Sequence, residues 1–170
     1  MDLAEIFGTE CAEPQTIDWA EVEAAYGAPL PADYRAYADA YPALELDSQF
    51  VIRHPLSKNT TSKLVECGKD VLEAFAGGRR EFPEAVPYPL FPEPGGLLPW
   101  GSDYDGADYF WRTAGRPGEW TIAVFESAEW WEFPGGFGAF WTELAAGRID
   151  SPVIAEGYLR PGYSVRCVGD

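Results

Sequence analysis

Apolar positions recur along this chain first with a helical period and then with a strand period. Trp19, Val22 and Tyr26 share one helical face. Asp18 before them is a good N-cap, Glu21 completes a capping box, and Ile17 is placed to staple onto Val22. Gly27 supplies a left-handed stop. A second helix is predicted from Pro31, whose fixed φ suits a first turn; Tyr34, Tyr37 and Tyr41 form its stripe and Pro42 ends it. Only Ala28, Pro29 and Leu30 separate the two, so they make a tight helical pair. Phe50-Val51-Ile52 reads as a short strand. Leu64, Val65, Val71, Leu72 and Phe75 then fit the helical period and predict a helix over 62–76, weakened at Gly68 and stopped by Gly77-Gly78.

Pro83, Pro87, Pro89, Pro92, Pro94 and Pro99 exclude a helix or a central strand over 82–99. An extended surface loop is expected there, or a Pro-rich ligand for a partner domain. Beyond it the pattern is that of strands. Leu97 to Gly101 leads in, and 107–112 alternates and is aromatic. Gly115-Arg116-Pro117-Gly118 makes a turn. Residues 120–125 are apolar on both faces, as in a central strand covered on two sides. A further strand is predicted over 129–133. Phe137, Phe140, Trp141 and Leu144 form a closing helix that Gly147 ends. Val153, Ile154, Tyr158 and Val165 are candidate packing residues in the mixed C-terminal stretch. No internal repeat is present. Helices, then strands, then a helix predict an α+β fold: a mostly antiparallel central sheet with flanking helices, an N-terminal helical pair and a C-terminal aromatic helix. At 170 residues this is one domain, 1–170.

Charge narrows the function. Twelve bases against 28 acids give a net charge of -16. Such a surface repels phosphate backbones and anionic lipid, so neither nucleic acid nor membrane is an expected partner. It favours solubility or a basic protein partner. Arg35 is the only base in residues 1–50, whereas Arg53, Lys58, Lys63, Lys69, Arg79 and Arg80 crowd the next thirty or so positions. The first residues are acidic, with no apolar run of signal-peptide or membrane-span length, so a cytoplasmic protein is expected. Cys11, Cys67 and Cys167 are scattered and odd in number, which suggests neither a disulfide framework nor a zinc site; buried, reduced thiols are expected.

The familiar catalytic patterns are missing. His54 is the only histidine and reads as structural; there is no G-x-S-x-G elbow, Walker loop or G-x-G-x-x-G. No cofactor, metal or catalytic residue is predicted. Asp103, Asp105 and Asp108 resemble the start of a calcium loop, but Ala114 stands where the distal glutamate is required. The acidic loop 102–108 therefore reads as turn chemistry or as a partner-facing surface. Tyr104, Tyr109, Trp130 and Trp131 beside carboxylates read as core packing or as binding anchors. A carboxylate enzyme acting on sugars, using Asp103/Asp105 or Glu129/Glu132, is the remaining catalytic reading, and no spacing selects such a pair.

Two stretches add a resemblance. One is Ile17 to Tyr37, with Gly27 closing one helix and Leu30-Pro31-Ala32-Asp33-Tyr34 opening the next. The other comprises Gly96-Leu97-Leu98-Pro99-Trp100-Gly101, then Asp105-Gly106-Ala107-Asp108-Tyr109-Phe110-Trp111, then the 120–125 strand and the 137–144 helix. Together they resemble the SUKH superfamily, which includes the fungal cell-wall-assembly regulator domain and many bacterial immunity proteins. The resemblance covers 15–147. It departs at Tyr41-Pro42, where the family often has glycines after an aromatic, at Ala107 between Gly106 and Asp108, and over 53–96, an insertion-like helix and Pro-rich loop. It implies a protein that binds rather than turns over a substrate: an immunity protein that neutralises a bacterial toxin, often a nuclease, with a basic toxin domain as partner. A regulatory scaffold is the alternative it implies. The partner-binding residues expected on this reading are Asp103, Tyr104, Asp105, Asp108, Tyr109, Glu129 and Trp130.

Overall fold

In the computed structural model, which describes residues 2–154, 159 and 162–168, seven strands form one antiparallel sheet. They are β1 (Leu44–Leu46), β2 (Phe50–Ile52), β3 (Leu97–Asp103), β4 (Asp108–Arg112), β5 (Thr121–Glu126), β6 (Glu129–Phe133) and β7 (Val165–Cys167). Their spatial order is β6-β5-β4-β3-β2-β1-β7, so β1 to β6 meander and β7 returns to the free side of β1. The helices are α1 (Leu3–Phe7), α2 (Trp19–Tyr26), α3 (Ala32–Ala40), α4 (Leu64–Glu81) and α5 (Phe137–Ala145). The fold is α+β, with the antiparallel sheet, N-terminal helical pair and closing aromatic helix that the sequence predicts. Among the described residues no helix is long and apolar enough to cross a membrane.

Strand alternation divides the apolar residues between two faces. Leu44, Phe50, Ile52, Trp100, Trp111 and Ile122 point to one face and are buried with Tyr34, Tyr37, Phe137, Phe140 and Trp141 of α3 and α5. The Trp100 ring centroid lies 5.1 Å from Phe137 and 5.9 Å from Phe140, both edge-on, the arrangement that ring quadrupoles favour. On the opposite face Leu97, Phe110 and Ala123 are buried against Val71, Leu72 and Phe75 of α4. Helices therefore cover β5 on both sides, which explains why its sequence is apolar throughout. Asp18 caps α2 through Glu21 N–H at 3.1 Å, and Gly27 ends it in the left-handed region.

Several expectations need correcting. The Gly77-Gly78 pair does not stop α4, which continues to Glu81; Arg79 near its end is held by Glu93 at 2.8 Å, and Phe75 is anchored on Phe110 and Phe125. Gly68 does not break the helix either. It is the point where Tyr26 crosses, and a Cβ there would overlap the Tyr26 ring. Pro99 lies inside β3, a central strand, because the register shifts between Pro99 and Gly101 and the bulge needs no N–H there. Its carbonyl accepts the Tyr26 hydroxyl. Residues 82–96 are anchored rather than freely extended: Pro83–Ala85 is a single 3-10 turn, and Val86 and Leu90 are buried. The thiol expectation also fails. Cys11 and Cys167 are joined in a disulfide, and Cys67 is half-buried with its thiol donating to the Thr60 carbonyl. Val153 and Ile154 are buried and Val165 packs on the core; Tyr158 lies outside the described residues.

His54 is structural. It is 1% exposed; its Nδ1 accepts the Leu56 N–H at 3.1 Å, and Nε2 donates to the Ala38 carbonyl at 3.0 Å. A second proton would have to sit on Nδ1, where an N–H already points. Burial lowers its pKa, against weaker opposing effects of the Ala38 carbonyl and Asp39. The unfolded chain, with an ordinary histidine pKa of about 6.5, then takes up the proton first as pH falls. Its contribution is intact above about pH 6.5 and is lost progressively below that. The melting temperature is expected to fall between about pH 7.5 and 5.5, and His54→Asn to flatten that slope. An unchanged slope in the variant would assign the pH dependence elsewhere.

Candidate functional site

Three hairpin turns meet at one end of the sheet. The registers place them there: Leu46 pairs with Phe50, Phe50 with Asp103, Ser102 with Asp108, Asp108 with Phe125, and Phe125 with Trp130. The β1–β2 turn carries Asp47 and Ser48 with φ of 53° and 56°. The β5–β6 turn is Ser127-Ala128, with φ of 50° and 68°, a two-residue connection that matches strand twist. Between them lies the acidic loop.

Asp103 builds that loop. Its Oδ1 accepts the N–H groups of Asp105 at 3.1 Å and Ala107 at 2.8 Å. Its Oδ2 accepts the Tyr109 hydroxyl at 3.0 Å. Turn chemistry and surface presentation are thus two functions of neighbouring residues, with Asp103 holding the loop and Asp105 facing solvent. The Gln49 side-chain amide donates to the Asp105 carboxylate and ties the first turn to the second. Tyr104 is 58% exposed, and its hydroxyl donates to Glu45 Oε2 at 2.8 Å. The Glu45 carboxylate raises the Tyr104 pKa, so the phenol stays protonated. Glu45 also receives Arg166 at 2.8 Å.

Asp108 sits deeper, with Arg53 Nη2 at 3.4 Å from its Oδ1. Burial raises the Asp108 pKa, and the Arg53 charge opposes that rise. Arg53 is 4% exposed, and among the described residues its Nε and Nη1 have no hydrogen-bond partner. Removing Asp108 would leave this buried cation without its counter-charge, so Asp108 acts as a support.

The seven residues singled out in the sequence therefore separate by role. Tyr104, Asp105 and Glu129 face solvent at the rim. Asp103, Asp108 and Tyr109 hold the loop from within; Tyr109 is 1% exposed. Trp130 packs beneath α4, its ring centroid 4.9 Å from Tyr88 and its indole N–H donated to the Ala85 carbonyl. Asp47, Glu126 and the Glu45–Arg166 pair also border this end, and the sequence reading did not single them out. Glu129 and Glu132, three apart on a strand, point to opposite faces, and Glu132 is occupied by Arg112 at 2.6 Å. Among the described residues no group of three or more His, Cys, Asp or Glu is placed to hold a metal ion.

Counter-charges are largely consumed elsewhere. Arg35, Lys63, Arg79, Arg112, Arg116 and Arg148 each lie within 4.0 Å of a carboxylate away from the rim. Arg53 and Arg166, near the rim, are paired as well. The arrangement presents negative charge around one exposed aromatic ring. Compared with family models, curated proteins and solved structures, the chain matches none.

Proposed function

We propose that the chain is an immunity protein of the SUKH kind, which neutralises a toxin by laying its acidic rim on a basic surface such as a nuclease substrate cleft. The observation that carries this reading is the convergence of three turns, which puts Asp47, Asp105, Glu126 and Glu129 at one end of the sheet beside the exposed Tyr104. Clustered carboxylates steer a basic partner and compete for its cleft, and a rigid aromatic supplies an anchor. The proposal is one of binding without turnover, in the cytoplasm, with a protein as the only partner.

The test is co-expression with any toxin gene found beside its own, scored by survival and by a co-purifying complex. Reversing three charges together (Asp105→Lys, Glu126→Lys, Glu129→Lys) is expected to slow association by about tenfold or more at low salt, because rim charges act chiefly on the on-rate. The wild-type complex should weaken as salt rises. A complex indifferent to both charge reversal and salt would end the electrostatic reading. Retention of a resident cellular protein by the same rim, with no toxin neutralised, would replace it with the regulatory scaffold.

A further inference from the structure

The sheet has two outer strands, and β6 is the longer. Its turn fixes which of its backbone groups are free. In a two-residue hairpin the residues flanking the turn, Glu126 and Glu129, exchange both hydrogen bonds, and bonded and non-bonded pairs then alternate. Trp131 and Phe133 therefore bond inward to β5. The N–H and C=O groups of Trp130 and Glu132 point outward, and among the described residues no backbone group bonds to them.

The geometry points to β6 as the seam of a homodimer, two copies pairing antiparallel about a two-fold axis at Trp131. This register follows from the free groups. Trp130 of each copy exchanges both bonds with Glu132 of the other, giving four hydrogen bonds and one continuous sheet. Trp131 faces its own copy across the axis in a close, non-bonded pair, and Glu129 faces Phe133. No two carboxylates stand opposite each other. Pairing in this sense also sends the two acidic rims to opposite ends. Each rim then lies beside the other copy's far end, where Arg112 pairs with Leu97 and Arg116 is largely exposed. A parallel pairing would bring the rims together, and the charge of -16 per copy disfavours it. The dimer draws Glu129 into the seam but leaves Asp47, Tyr104 and Asp105 of each rim open, so it does not depend on the proposed toxin.

Sedimentation equilibrium reads the outcome directly. The wild-type chain is expected at twice its 18.8 kDa mass, dissociating on dilution. Glu132→Pro removes an outward N–H while leaving the β5–β6 ladder intact, and is expected to give a monomer with an unchanged circular-dichroism spectrum. Glu132→Ala loses the same side chain and its Arg112 ion pair but keeps the N–H, and is expected to remain dimeric. Register is read separately by oxidising Trp131→Cys and Phe133→Cys proteins: the first is expected to cross-link to dimer and the second not. A monomeric wild type at micromolar concentration, a dimeric Glu132→Pro, or cross-linking through position 133 would each overturn the proposal.

Discussion

Gly96→Ala is expected to destabilise the fold by about 3 kcal/mol, at the upper end of overpacking costs. A Cβ at Gly96 would lie 2.5 Å from Leu90 C, 2.5 Å from Phe91 N and 2.7 Å from Glu93 O. These are main-chain atoms, so no rotamer change relieves the overlap. Nor can the segment easily slide. Phe91 N–H is bonded to Leu97 O at 3.1 Å, Leu97 N–H to Pro89 O at 2.9 Å, and Thr113 N–H to Gly96 O at 3.0 Å. Making room means breaking the start of the β3–β4 ladder. Gly78→Ala is the control: nothing lies within 4 Å of its added methyl, and the site is helical, so it is expected to gain about 0.5–1 kcal/mol. Urea unfolding separates the two. If both variants unfold at the wild-type midpoint, the close approach at Gly96 is not real.

The same glycine shows what the sequence could disclose. Gly96 and Gly101 stand out as a spaced pair, yet their physical reason lies in other segments: Gly101 faces Val51 and Phe50 across β2, and Gly96 faces the Pro-rich turn. Local signals were sufficient for α2, α3 and α5, where caps and periodic aromatics act within one element. They were sufficient for β4, β5 and β6, which are joined by short turns. They failed for β1 and β7, which are only three residues long, and β7 exists because it pairs with a segment some 120 residues away. Pro99 fits a central strand for a related reason, since the bulge that admits it depends on its partner strand. Of the site, the exposed Tyr104, Asp105 and Glu129 were legible as acids beside aromatics. Their meeting with Asp47 and Glu126 was not, because it follows from the registers of six strands, one of them unpredicted. Tyr109 and Trp130 looked like surface anchors because alternation alone does not say which helix covers which face.

Reducing the Cys11–Cys167 bond is expected to cost the fold about 3–5 kcal/mol. The bond spans 156 residues, nearly the whole chain. Loop closure on that scale removes about 5 kcal/mol of unfolded-state entropy, less whatever compactness the unfolded chain retains. The loss should begin locally. β7 is three residues long and lies at an edge, held by Asp47 N–H to Ser164 O at 2.7 Å and by Val168 N–H to Ala43 O at 2.9 Å. Its ion pair uses an Arg166 that is 60% exposed and therefore contributes little. With the clamp gone, the amides of Asp47 and Val168 should exchange earlier than those of Ile122 and Val124 in the centre of the sheet. Cys167 is exposed, so reductant reaches it without unfolding. In a reducing cytoplasm, where the proposed function would operate, both cysteines would be thiols and the marginal β7 would border the acidic rim in a looser state. Urea midpoints with and without reductant, together with the Cys11→Ala/Cys167→Ala chain, decide the matter. Equal midpoints in all three would mean that β7 and the N-terminal arm hold their places without the bond.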